Sequence, residues 1–410
     1  MADGSEQGNN AFMTNRLWIN MNWKATDNLS FSGQIAYNKA FGQRSSANNP
    51  ASGSLEGFDW GTNENANDDT LRIRSAYFLY KNDTFLGSDV PWTFSIGRRP
   101  STNGHLINLR DDDGAASPMG HAINVEFDGL SSKFALEDVI GLEGMYVKLC
   151  AGRGMTNAAP KFSATPYDGD DGANSNPDID LGGFIFVPYD DGQYALATMY
   201  YYANNLIDLT AADANQSKGF TTVGGMHSFT ANFTMNGIGD EWSDYLDDTF
   251  FFVSGAMSVT DPNSDQRMLY ATTDFKGNAQ AAGESKTGTS VWVGLQMPSV
   301  MTEDGRWGLE WNQGSQYWRS ITYAEDTNIG SKIATRGDAY EIYFIEPLVE
   351  DILTFQIRYT YLDYAYTGSE GFFGGTTGRA ETIEAANTAG FGGNYVDTAQ
   401  DIRFYLRYRY

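Results

Sequence analysis

The last ten residues, DIRFYLRYRY (401–410), decide how this chain is read. Ile402, Phe404, Leu406, Tyr408 and Tyr410 fall on one side of an extended backbone; Asp401, Arg403, Tyr405, Arg407 and Arg409 fall on the other. Alternation at a period of two is the signature of a β-strand. A strand apolar on one face and charged on the other separates an apolar phase from an aqueous one. The same pattern recurs upstream. Leu353, Phe355, Ile357, Tyr359 and Tyr361 alternate with Thr354, Gln356, Arg358 and Thr360. Leu17, Ile19, Met21 and Trp23 alternate with Arg16, Asn20, Asn22 and Lys24, and Leu71, Ile73, Tyr77 and Leu79 are set against Arg72 and Arg74. Residues 29–38 and 229–235 show the same alternation.

Extended over the chain, this reading predicts about fifteen strands: 12–24, 29–41, 70–81, 92–99, 129–136, 144–153, 181–188, 193–206, 220–236, 249–260, 288–298, 305–318, 338–347, 352–366 and 399–410. Connections alternate between short ones and long ones rich in Gly, Asn, Asp and Ser. The segments run near the 9–11 residues that cross a bilayer at a tilt, longer than the usual strand of a soluble sandwich. Short turns at one end and long loops at the other are the plan of an outer-membrane barrel. Aromatic residues gather near strand ends (Trp18, Trp23, Phe41, Trp92, Tyr200 to Tyr202, Trp242, Tyr245, Trp307, Trp311, Trp318, Tyr408 and Tyr410), as interfacial girdles do. The expectation is an all-β, transmembrane antiparallel β-barrel forming one domain over 1–410, with 1–11 the remnant of an outer loop and 12–410 its strands and loops.

Composition narrows the alternatives. The chain has 410 residues and a formal net charge of −25, with 25 Phe, 24 Tyr and 9 Trp. That aromatic content excludes a disordered acidic tail, and an acidic pI argues against nucleic acid as a partner. Cys150 is the single cysteine, so no intrachain disulfide forms. His105, His121 and His227 are scattered; no zinc motif and no cofactor is indicated, and none of the three sits in a nucleophile motif, so no enzymatic activity is expected. The run YDGDDGANSNPDID (167–180) places Asp168, Asp170, Asp171, Asp178 and Asp180 on a Gly-rich loop. Oxygen ligands on such a loop suit Ca²⁺, but the spacing is not that of an EF-hand, and a solvated acidic loop is the simpler reading.

The segments LWINMNWKATDNLSFSGQIAYNK (17–39), SIGRRPSTNG (95–104) and VKLCAGRG (147–154), with the aromatic C-terminal strand, resemble a family of uncharacterised outer-membrane porins of Gram-negative bacteria. The resemblance implies a passive channel for small hydrophilic solutes or ions in the outer membrane, with lipid around it and a homo-oligomer allowed; it names no solute. A sheath for a partner protein such as a cytochrome, which needs an unobstructed lumen, is the alternative, followed by an outer-membrane enzyme. Full-length members carry further residues upstream. Strand parity also places residue 12 outside, which leads one to expect an additional N-terminal strand and about sixteen in all.

With apolar residues facing lipid, the opposite faces line the pore. They carry Arg16, Arg72, Arg74, Arg99, Lys148, Arg358, Arg403, Arg407 and Arg409, opposed chiefly by Glu310, Glu341 and Asp401. The expected pore wall is therefore basic in a strongly acidic chain, with an arginine arc on one side, chiefly Arg72, Arg74, Arg358, Arg403 and Arg407. Connection 100–128 is then the third outer loop, which in general porins folds into the pore. Here it carries Asp111, Asp112 and Asp113 beside apolar Leu106, Ile107 and Leu109, and its acidic residues either face the arc or stand in solvent.

Overall fold

The computed structural model describes the chain except for residues 7, 9, 10, 12, 42–70, 155–177, 210–219, 240, 241, 323–328, 351 and 369–378. Fifteen strands form one sheet in which each pairs antiparallel with its neighbours in sequence. They are β1 (Thr14–Lys24), β2 (Leu29–Ala40), β3 (Arg72–Asn82), β4 (Trp92–Arg99), β5 (Phe127–Ala135) and β6 (Tyr146–Gly154). Next come β7 (Ile179–Asp190), β8 (Tyr194–Leu209), β9 (Phe220–Asn236), β10 (Phe250–Pro262) and β11 (Thr287–Pro298). The sheet ends with β12 (Arg306–Gly314), β13 (Gly337–Val349), β14 (Leu353–Tyr364) and β15 (Thr398–Tyr408). Every segment read from alternation is a strand, with ends displaced by a few residues.

The turns at the short end carry their own chemistry. At the β7–β8 hairpin the Asp191 carboxylate accepts from the backbone N–H of Gln193 (2.9 Å) and Tyr194 (2.6 Å), and Gly192 supplies the left-handed φ of 88° that the reversal needs.

The sheet curls into a barrel wall. One inner segment, residues 100–126, bonds to β3, to β6, to β8 through β11 and to β13 and β14, so those strands surround it. Outward faces are apolar, with Leu17 44% and Phe404 68% exposed. Inward faces bury Ser228, Thr230 and Asn232 on β9, Ser254 and Ser258 on β10, and Thr354, Gln356 and Arg358 on β14. This apolar-out, polar-in arrangement is the reverse of a soluble protein and is that of a transmembrane β-barrel. A one-residue slip would turn each face the wrong way, which fixes the register strongly. Outward aromatic rings meet at the short-turn end: Phe85 with Trp92 (5.3 Å) and Phe134 (4.9 Å), and Trp307 with Phe344 (4.7 Å). No ladder joins β1 to β15 among the described residues.

Three details correct the sequence reading. Arg74 is an extra residue in β3: Ser75 pairs with Gln34 and Ile73 with Ile35. Such a bulge reverses the facing of the residues beyond it. Ile73 points outward at 61% exposure and so does Phe78 at 47%, and the intervening parity change turns Tyr77 and Leu79 to the lumen instead of the lipid. Trp318 and Tyr201 are not girdle residues. Trp318 is fully buried, donating to the Ile333 carbonyl (2.7 Å), and Tyr201 donates to the Ala122 carbonyl (3.1 Å) inside the barrel. Trp18 lies on the lumen face beneath the Arg74 guanidinium, 4.5 Å from its ring. The Trp318 indole N–H is satisfied inside the lumen, whereas Trp18 is held there by its contact with the Arg74 cation, its own N–H lacking an acceptor.

Candidate functional site

The lumen is narrowed by two inner segments, 100–126 and the described residues of 315–336 (315–322 and 329–336). The first contains the short helix α1 (Ile107–Asp111). Leu106 and Ile107 are buried with Phe252, Trp292 and Ile333, so the apolar residues fix the loop to the wall and leave its acidic tip free to meet the opposite side. The two segments also pair with each other: Ile321 and Thr322 run parallel to Ile123 and Asn124, and Ser320 Oγ donates to the His121 carbonyl (3.0 Å). The wall yields space for them. A side chain at Gly288 would meet the Tyr317–Trp318 backbone within 2.2 Å, and one at Gly314 the Thr335 carbonyl within 2.0 Å.

Asp111, Asp112 and Asp113 face the β12–β15 part of the arginine arc, Arg358 and Arg407 with Arg306 and Arg409 beside them, whereas Arg74 lies across the lumen on Gln34 and Thr102. Arg358 Nη2 donates to Asp111 (2.6 Å) and Arg306 Nη2 to Asp112 (2.6 Å). Arg407 pairs with Asp113 (3.2 Å), and Arg409 with both Asp112 (3.6 Å) and Asp113 (3.1 Å). Burial by itself would raise the Asp111 carboxyl; Arg358, Arg110 and Arg407 beside it hold it below the usual carboxylate range. Arg403 is paired with Asp401 within its own strand. The three loop-tip carboxylates therefore offset most of the charge of Arg306, Arg358, Arg407 and Arg409.

Beneath this layer lies a buried ionic cluster. Glu341 accepts from Lys332 (2.6 Å), Arg110 (3.3 Å) and Thr360 (2.8 Å); Glu310 accepts from Lys332 and from Trp292 (2.8 Å). Lys332 and Arg110 come from the two different inner segments, so this cluster ties both to β12 and β13. Across the lumen, Thr102 Oγ1 donates to Glu126 (2.7 Å) and accepts from Arg74 (2.7 Å).

His121 is the fully buried anchor between these regions. Its Nδ1 lies 2.7 Å from Ser254 Oγ and its Nε2 2.9 Å from Ser290 Oγ, with Trp292 and Trp318 edge-on at 5.6 and 5.5 Å. Burial pushes its pKa down to about 3, so it is neutral and serves as a hydrogen-bonding staple.

The remaining sequence-selected residues are dispersed. Arg99 bonds Ser95 and Ser131 and stacks over Tyr77 (5.3 Å); Lys148 donates to Ser117. Arg16 is exposed on β1, and the side chain of Arg72 lies outside the described residues. Asp168, Asp170 and Asp171 also lie outside them. Asp178 and Asp180 both pair with Arg153, at 3.6 and 2.6 Å, and no cluster of three metal-ligating side chains occurs among the described residues. Sequence reasoning missed Arg110, Glu126, His121, Arg319, Lys332 and Arg336. All lie in connections, where no periodicity marks a residue as inward; an adjacent hydrophobic residue was the available signal for all but Arg336, which lies between Thr335 and Gly337.

Residues 6–410 match the family described as protein of unknown function, DUF3373. No curated protein matches the chain. Among solved structures it is similar to OmpF of Salmonella typhi, at 10% identity and a TM-score of 0.47, covering 98% of this chain and 93% of that one. It is also similar to outer-membrane-expressed OmpT of Vibrio cholerae, at 11% identity and a TM-score of 0.46, covering 96% and 88%.

Proposed function

This chain belongs to the family described as protein of unknown function, DUF3373, and for it we propose a porin-like channel of the Gram-negative outer membrane that passes small hydrophilic solutes or ions by passive diffusion, without chemistry or a cofactor. The observation that carries the reading is the polar, inward-facing wall narrowed by a loop whose acidic tip is ion-paired across the lumen. Such a loop sets a cross-section without closing the barrel with apolar surface. Beside it, the inward faces of β1 and β2 offer neutral polar groups: Asn20 and Asn22 are exposed, and Gln34 donates to Asn20 (2.9 Å) and accepts from Arg74 (2.7 Å). Solutes in this path meet amides and hydroxyls on one side and compensated charge on the other. Weak ion selectivity results, since rings of unpaired Arg or Lys, not paired ones, favour anions. The two inner segments also argue against a sheath for another protein, which needs the space they occupy.

Planar-bilayer recording with the purified full chain tests this. Discrete conductance steps with a reversal potential near zero in a salt gradient are expected. A folded barrel that produces no conductance overturns the reading.

A further inference from the structure

A second basic region lies away from the arc, on the lumen faces of β4 and β6. Arg99 and Lys148 line one cavity of about 130 Å³. Their bonds go to hydroxyls: Arg99 to Ser95 and Ser131, Lys148 to Ser117. The charged and titratable groups facing them are Tyr77, Cys150 and Lys133 besides each other. No carboxylate pairs with either among the described residues, in a chain with 52 Asp and Glu. Lys148 is 8% exposed, and the buried Nε–H of Arg99 has no acceptor. A buried cation without a counter-ion is costly, and an unsatisfied buried donor adds to that cost.

The rest of the cavity differs in kind. Ile123, Phe127, Leu181, Ile185 and Met199 line it. These side chains offer nothing to the several oxygens of a fully hydrated phosphate, but they suit a hydrocarbon body. A carboxylate would supply these two cations with the negative partner they lack. The volume exceeds that of a few waters and admits a small organic acid.

We propose that this cavity is a binding subsite for a small amphiphilic carboxylate, its charge held by Arg99 and Lys148 and its apolar body against Ile185 and Met199. The inference deepens the channel reading by naming a solute class, and it rests on that reading only for how the acid reaches the lumen.

The test uses benzoate as probe and the purified full chain in detergent, with binding measured by titration calorimetry. Wild type binds benzoate, and Arg99→Gln, Lys148→Met and Met199→Trp each weaken it at least tenfold, the range lost with one charged hydrogen bond or the apolar pocket. On the unmodified protein, neutral benzamide fails to compete, and inorganic phosphate binds at least tenfold more weakly than benzoate. No benzoate binding overturns the proposal, as does competition by benzamide. Unchanged affinity in variants that keep the wild-type β-sheet circular dichroism also overturns it. Phosphate bound as tightly as benzoate identifies a bare charge site and overturns the carboxylate assignment. Because the readout is binding, conductance without benzoate binding removes this inference and leaves the channel reading standing, whereas binding without conductance does the reverse.

Discussion

The lumen has two basic regions that look alike in sequence and differ in structure. On β12 to β15 and just beyond, Arg306, Arg358, Arg407 and Arg409 meet Asp111, Asp112 and Asp113 of the inner loop. On β4 and β6, Arg99 and Lys148 bond hydroxyls, with the Tyr77 ring and apolar walls beside them and no paired carboxylate among the described residues. The difference comes from where one loop lays its acidic tip. A cation on a pore wall therefore says little about selectivity until its partner is known: the arc is a structural clamp with little residual field, whereas the isolated pair keeps its field.

The contrast is disrupted most severely at the base of the clamp. Glu341→Ala leaves Lys332 and Arg110 buried without their shared carboxylate, and removing one partner of a buried pair costs about 3–5 kcal/mol. A large drop in the urea midpoint of the folded barrel is expected, together with noisier conductance as both inner segments loosen. An unchanged midpoint means the cluster is not the clamp's foundation.

The next effect is pH-dependent. His121 titrates near pH 3 when folded and near 6.5 when unfolded, so between these values the unfolded chain binds the extra proton. Stability is full above pH about 6.5 and falls as the pH drops through this window toward about 3, by a few kcal/mol. Comparing unfolding midpoints at pH 7 and pH 4 for wild type and His121→Gln measures it. The variant loses less than wild type over this range; equal losses remove His121 as an acid-sensitive staple.

Selectivity separates the two regions further. In the Asp111→Asn/Asp112→Asn/Asp113→Asn triple the arc is uncompensated. At about 1 kcal/mol per unscreened charge contact, or roughly a factor of five, the reversal potential shifts clearly toward anions. If it does not move, ions pass elsewhere in the lumen. The smallest effect belongs to the exposed Arg153–Asp180 pair: water screens it, so Arg153→Ala leaves the thermal melt close to that of wild type, far from the Glu341→Ala variant measured beside it.

The wall was legible in the residue order alone. Period two is a local property, because each side chain of a strand points opposite to its neighbours. Residues 401–410 and 353–361 therefore show their lipid and lumen faces before any folding is considered. The acidic residues of 100–128 were visible too, with Leu106, Ile107 and Leu109 as a reason for the loop to pack. Other features arise only when distant segments meet. The bulge at Arg74 depends on the register with β2, so alternation alone misplaced Tyr77 and Leu79. Trp318 reads as a girdle residue until the segment after it turns inward and closes on Ile333. Arg110 becomes a partner of Glu341 across 231 residues of sequence, Lys332 joins it by folding back only nine residues away, and His121 becomes a buried staple because β10 and β11 bring Ser254 and Ser290 to either side of one ring. Strand facing comes from backbone geometry, whereas the charge state of a pore depends on which loop carboxylate comes within about 3 Å of which arginine, a distance that three-dimensional packing sets.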